Sequence, residues 1–356
     1  MLGRNDTPFA AIGYEQVHRD GEPMAVVALR ADYEIPEDAT LALKPEQAIV
    51  LTDEYTGHPH ASPLMRAADL VPFKPATDVT VLARAYPPSG QETAPAWSCG
   101  LRVGSRDLVL RVSGPRHWQR VKGRWSLSDP DPVAHVDLDY RETWGDKAGP
   151  GGDPPSSNPL GRVPPSREDG AEAAEGFVLP AVDRPDASYD DPFAAHAPAG
   201  FGPVPPFWRL RQRHAGTYDE AWQAERHPRL PADFDYRFYQ CAHPDLVLPG
   251  YLAGDEAVQF ARLTPGGAKR HFFLPRVQPV ARYVWSDGRQ VTQRLNLDGL
   301  HLDLRAEPLS VSLTWRGWLP ICPAFLRIDV RLEDPGDPAL GAVPPAALHG
   351  IDEGVR

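Results

Sequence analysis

Apolar residues recur at every second position through much of the chain. The pattern is clear in 25–33 (AVVALRADY), 78–86 (DVTVLARAY), 108–112 and 133–140 (VAHVDLDY), with shorter runs at 48–52 and 101–103. Alternation of this kind marks strands with one buried face. A second set follows residue 246, at 257–263, 270–274, 280–285, 290–297, 301–305, 309–316 and 326–332. Asp20-Gly21, Pro88-Ser89-Gly90 and Ser113-Gly114-Pro115 mark turns. Asp287-Gly288 and Asp298-Gly299 each sit between alternating runs and predict hairpins. In 234–240 (FDYRFYQ), Phe234, Tyr236 and Phe238 would share one face of a further strand. The clearest helix starts at a Thr217 or Asp219 cap and runs to about Arg226, where His227-Pro228 ends it.

These elements predict a mainly β fold: β-sandwich-like antiparallel sheets with long Pro/Gly-rich loops and one or two short helices. Four stretches separate along the chain. Residues 1–145 form an N-terminal β-rich half, and 201–335 form a second β-rich half packed on the first. Residues 146–200 are dense in Gly, Pro and Ser and low in large apolar residues, which predicts a partly mobile surface loop. Residues 336–356 read as a frayed tail.

Composition sharpens this picture. The 356 residues include 41 prolines and 30 glycines, punctuators that exclude long helices and favour short strands joined by turns. A net charge of −11 argues against nucleic acid or an anionic membrane as partner and would steer a basic one inward. The three cysteines, Cys99, Cys241 and Cys322, form no CxxC pair and fit a reducing compartment. With no secretory-type apolar stretch at the start and no run long enough to span a bilayer, a cytoplasmic protein is expected.

Candidate chemistry is sparse. There is no phosphate-binding glycine loop, no nucleophile elbow and no HExxH. In 53–60 (DEYTGHPH), His58 and His60 lie near two carboxylates, but Gly57 and Pro59 make a turn and no third ligand is fixed by spacing, so a solvated loop is the preferred reading. Cys241 and His243 only echo a thiol–imidazole pair; a buried structural cysteine fits better. The densest constellation is 200–222 (GFGPVPPFWRLRQRHAGTYDEAW). Arg209, Arg211 and Arg213 would line one side of an extended strand, as an anion site or, preferably, a protected edge. His214 with Asp219 is the candidate acid–base pair of a hydrolase. Trp208 and Trp222 are the tryptophans best placed to meet a partner.

Several blocks, in order, resemble domain-of-unknown-function family 2169, proteins found beside type VI secretion genes in Gram-negative bacteria. They are Asn5-Asp6-Thr7-Pro8-Phe9; Gln47; Asp53-Glu54-Tyr55 with Gly57; Asp69-Leu70 with residues 74–79 (KPATDV); Trp118; and 158–162 (NPLGR). The nearest correspondence is Gly200, Phe201, Gly202, Pro203, Trp208, Arg211, Gly216, Thr217, Tyr218, Asp219 and Trp222, continuing through Leu230-Pro231, Asp233-Phe234-Asp235 and Gly254-Asp255-Glu256. The chain departs from the family pattern at residues 30–33 and 144–146. The resemblance implies a non-enzymatic adaptor or chaperone that binds a cognate type VI effector, often PAAR-linked, and helps load it on the VgrG spike. It implies no catalytic residue, cofactor or metal, and leaves those eleven residues as structural or partner-binding candidates. The alternatives are a hydrolase using His214 and Asp219 or the 53–60 loop, and a structural spike or baseplate component.

Overall fold

A computed structural model describes residues 1–38 and 40–334. The fold is mainly β, with several antiparallel sheets and only short helices. The 336–356 tail lies outside the described residues.

Three sheets surround one continuous apolar core. The largest follows the order Ala10–Val17, Pro23–Glu34, Ser310–Pro320, Asn296–Asp303, Asp78–Leu82; the last two strands pair in parallel. A five-stranded antiparallel sheet runs Val182–Asp183, Arg106–Ser113, Ala96–Val103, Ala257–Ala261, Lys269–Phe273. A four-stranded sheet runs Leu2–Asp6, Phe325–Leu332, Pro279–Trp285, Gln290–Arg294. Every one of the three takes strands from both sides of residue 200. The two β-rich runs are therefore interleaved instead of forming separate halves, because long-range pairings such as Pro23–Glu34 with Ser310–Pro320 build the sheets.

Alternation explains how the largest sheet is used. Its inner face sends Ala25, Val27, Leu29, Val79, Val81, Leu300, Leu313 and Trp315 into the core. The intervening positions carry Arg30, Asp32, Asp78, Thr80, His301, Ser312, Thr314 and Arg316 on the opposite face. Chain from residue 50 to 78 covers that polar face; Asp69, for example, accepts a hydrogen bond from the Val50 amide at 2.9 Å.

Three local expectations are corrected as well. The Asp287-Gly288 hairpin forms between Pro279–Trp285 and Gln290–Arg294, but Asp298-Gly299 makes no turn. It is a bulge inside Asn296–Asp303: pairing jumps from Leu297 opposite Trp315 to Gly299 opposite Thr314, and the extra residue, Asp298, is buried against Arg316. Residues 234–240 do not form a strand. Asp235 accepts from the Arg237 amide at 2.9 Å and starts a 3-10 turn over Tyr236–Tyr239. The segment with Arg209, Arg211 and Arg213 is not extended either; Arg209–Gln212 is a helical turn.

The 146–200 stretch is not merely a surface loop. Asp146 gathers Ser156, Ser157 and Asn158 by hydrogen bonds of 2.6, 2.6 and 3.1 Å. Fully buried Asn158 then donates to the carbonyls of Tyr140 and Trp144, both at 2.8 Å. Few large apolar residues suffice here because local polar anchors order the backbone. Beyond these, Trp118, Trp144 and Leu179 make a small aromatic core with Phe177 and Tyr189.

Candidate functional site

The eleven family-motif residues divide by depth. Phe201 and Trp208 are completely buried, Gly200, Gly202, Pro203 and Arg211 are buried with them, and the remaining five lie at or near the surface. Trp208 packs edge-on against Tyr140, their ring centroids 5.0 Å apart, and the Tyr140 hydroxyl donates to the Gly202 carbonyl at 3.1 Å. Glycine at 200 lets the backbone run close to the Tyr140 ring, which a Cβ there would meet at 3.0 Å. The Phe201 carbonyl accepts from Val81, which ties the segment to the edge of the largest sheet. Trp208 is thus an anchor and not an offered surface.

From that root the chain turns outward. Gly216 adopts φ +78, and Thr217 donates its amide and hydroxyl to Asp233 at 2.9 and 2.7 Å. Asp219 caps the helix Glu220–Glu225 by accepting from the Trp222 amide at 2.8 Å. That helix contains no buried residue. Tyr218, 53% exposed, meets Trp222 edge-to-face with centroids 4.7 Å apart. The Trp222 indole donates to the Arg229 carbonyl at 2.9 Å, and Arg226 ties the far end to the Arg19 carbonyl, so the excursion is a formed unit anchored at both ends.

Between the helical turn and the 3-10 turn lies an open cleft of about 170 Å³, lined by Leu210, Arg211, Arg213, His214, Arg237 and Gln240, with Ala242, Pro244 and Val247. Arg211 spends its donors on carbonyls, Nε to Phe238 at 2.8 Å and Nη1 to Val204 at 3.1 Å, and lies over the Phe238 ring. Arg213 Nε donates to His214 Nε2 at 3.2 Å, which places the histidine proton on Nδ1, toward Asp235 at 3.6 Å. Burial, opposed by Asp235 and helped by Arg237 and Arg213, pushes the His214 pKa down, so the ring is neutral. Asp235 pairs with Arg237. Among the described residues it is the only carboxylate paired with any of the three arginines, leaving a local excess of positive charge. Gln240 is 92% buried (8% exposed), and its Nε2 has no hydrogen-bond partner among the described residues.

Cys241, the next residue, belongs to a second polar region on the covered face of the largest sheet. Its amide donates to Asp78 Oδ2 at 2.7 Å, and the same oxygen accepts from Lys74 Nζ at 2.8 Å. Arg316 pairs with Asp298 and with Asp69, the latter at 3.6 Å, while Arg30 pairs with Asp69 at 3.4 Å and Asp32 at 3.3 Å. Burial opposes the charge on Lys74, but Asp78 and the neighbouring groups more than offset it and its pKa is raised. His301, bonded through Nδ1 to Thr80 at 2.9 Å, has its pKa pushed down to about 3 by burial and by Arg30, Arg66 and Arg305.

The other candidates from the sequence fall apart spatially or stay peripheral. The carboxylate beside His214 is Asp235, since Asp219 is engaged as a helix cap. His58 and His60 are exposed on their loop, with His60 packed on Phe207. Among the described residues no three His, Cys, Asp or Glu side chains converge as metal ligands. Burial pushes the Cys241 thiol up to about 11, with Lys74 pulling the other way, and the Cys241 neighbour is that ammonium, 3.6 Å away. His243 accepts from the Asp245 amide through Nδ1 at 3.3 Å and serves as a local cap. No helix among the described residues is long and apolar enough to cross a membrane.

Sequence reasoning missed Arg237 and Gln240 because both sit in the stretch read as a strand. The signal was Asp235 two residues before Arg237, the spacing of an Asx cap. Asp69, Lys74 and Asp78 were visible as family blocks without an assigned partner.

A family model described as "Uncharacterized protein conserved in bacteria (DUF2169)" matches residues 20–316, a span that includes the Phe201–Trp208 root, the cleft and the buried charges. No curated protein and no solved structure is detectably similar. The chain belongs to domain-of-unknown-function family 2169.

Proposed function

We propose, with that family membership as the premise, that the protein is a non-enzymatic cytoplasmic adaptor or chaperone of a bacterial type VI secretion system. It binds a cognate effector, often PAAR-linked, and helps mount it on the VgrG spike. The system and the partner class come from the gene neighbourhood the family resemblance implies. The observation that carries a binding role is the projecting unit at residues 216–229. A helix with no buried residue carries half-buried Trp222, and exposed Tyr218, just before the helix cap, packs edge-to-face against it, on a root fixed by Phe201 and Trp208. Aromatic side chains held rigid and half-exposed are efficient anchors for a protein partner, since little conformational entropy remains to be lost.

The hydrolase alternative needs an acid–base pair at His214, but Asp219 is committed to its helix and the imidazole Nε2 already accepts from Arg213. Affinity capture with the tagged full chain from its native cell tests the proposal. A PAAR-domain or spike-linked protein is expected with the wild type and is lost with Tyr218→Ala/Trp222→Ala, whose thermal unfolding is otherwise close to wild type. Failure to recover such a protein even at low salt would overturn the adaptor reading.

A further inference from the structure

The cleft beside the Phe201–Trp208 root gathers three guanidinium groups in one concavity. The molecule as a whole is strongly acidic, at −11. Arg211 and Arg213 have no carboxylate within ion-pair distance among the described residues; their polar partners are two carbonyls and an imidazole. Both line one concavity with Arg237, whose charge Asp235 offsets. At the same site the carboxamide of Gln240 is buried with an unused Nε2–H.

A buried donor without an acceptor costs about 1–3 kcal/mol, which is recovered when a ligand supplies the acceptor. A neutral His214 adds no competing acceptor, because its Nε2 is occupied by Arg213. The missing group is therefore an anion, small enough to reach Gln240 and flanked by apolar atoms from Leu210, Ala242 and Val247. A carboxylate on an aliphatic stem fits both requirements: oxygens for the guanidinium and carboxamide donors, methylenes for the walls.

The rest of the molecule restricts what can carry that carboxylate. Screening confines the positive potential of the cleft to within about 8–10 Å, and beyond that range the acidic body repels a polyanion. A short acidic peptide segment satisfies both conditions, whereas a nucleic acid does not.

We propose that this cleft is a carboxylate-binding site that captures an acidic side chain from a short segment of the protein partner. The identity of the occupant rests on the adaptor reading; the anion chemistry does not. The test is fluorescence anisotropy on the purified full chain. The probe is a labelled nonapeptide alternating glutamate and leucine, blocked at both ends, and the control is its glutamine counterpart. The acidic peptide should bind at least about tenfold tighter than the control, weaken as salt rises, and lose about tenfold or more with Arg213→Glu. Arg213 is exposed, so that variant keeps the wild-type melting temperature. Equal binding of the two peptides, or equal binding by wild type and Arg213→Glu, would overturn the proposal. So would displacement of the peptide by an equimolar amount of inorganic phosphate, which would reassign the site to phosphoryl anions. Because the assay uses isolated protein, its failure leaves capture through Tyr218 and Trp222 standing, and failed capture leaves the peptide result standing.

Discussion

Gln240 and Ala242 line one arginine-bearing region, and Cys241 between them lines another. Behind Cys241, the buried cations Arg30, Lys74 and Arg316 are matched by Asp69, Asp78 and Asp298, with Asp32 as a further partner. In front, Arg211 and Arg213 meet carbonyls and an imidazole but no carboxylate. The residue types are alike; the compensation differs. Burial forces the first arrangement, because a desolvated charge must be paired or neutralised. Arg211 is almost as buried as the cations behind Cys241 and is held by two carbonyls and the Phe238 ring, whereas Arg213 is exposed and is the guanidinium left open to a ligand.

Breaking the compensated side should have the largest effect. Arg316→Met strands Asp298 and Asp69 in a water-poor site and should cost about 3–5 kcal/mol in urea denaturation. Adding Asp298→Val to that variant removes one stranded carboxylate and should restore part of the loss, so the double change costs less than the sum of the singles. Arg213→Ala, by contrast, should stay within about 0.5 kcal/mol of wild type. If the two arginine substitutions cost the same, compensation is not what separates the regions.

How much of this difference was readable from the amino-acid sequence depends on the range of the interaction. Period-two alternation located the strands, and residues 25–33 correspond to the core of Pro23–Glu34. The same alternation placed Arg30 and Asp32 together on one face. It did not say that the face would be covered, because its lid comes from residues 50–78 and its other charges from beyond residue 296. Asp298-Gly299 misled for the same reason: a local turn signal was overridden by a distant arginine. In the motif segment, the prolines and glycines showed only that the path is not a regular helix or strand throughout. They carried no information on depth, so the burial of Trp208 and the outward position of Trp222 emerged only from packing. The Gln240 amide was the least legible feature, since an unmet hydrogen bond leaves no trace in residue type.

A pH titration sharpens the comparison at intermediate effect. His301 lies on the compensated face, where burial and then Arg30, Arg66 and Arg305 hold its pKa at about 3, against 6.5 ordinarily. Below pH 6.5 the unfolded chain takes up a proton that the folded chain refuses. The stability present above 6.5 is therefore lost as pH falls toward 3, with a slope of at most about 1.4 kcal/mol per pH unit from this group. His301→Gln should flatten that part of the stability–pH curve, measured as unfolding midpoint against pH, while leaving the region above pH 7 with its original shape. An unchanged slope would mean that the polar face admits a protonated imidazole and is less tightly balanced than its ion pairs imply.

The smallest expected change is also the most discriminating. Gln240→Met keeps the side-chain length and removes a buried donor that the folded chain does not use. If that donor helped to hold the fold, its loss would destabilise the protein. Here stability should stay level or rise by about 1 kcal/mol, because an unsatisfied polar group is replaced by an apolar one. Affinity for the glutamate–leucine peptide should fall at the same time. Stability moving one way and binding the other is what a residue kept for a ligand produces, and calorimetry with anisotropy on the same sample reads both. Should Gln240→Met instead unfold more easily with peptide affinity intact, the carboxamide belongs to the scaffold, and the front region differs from the back only in its exposure.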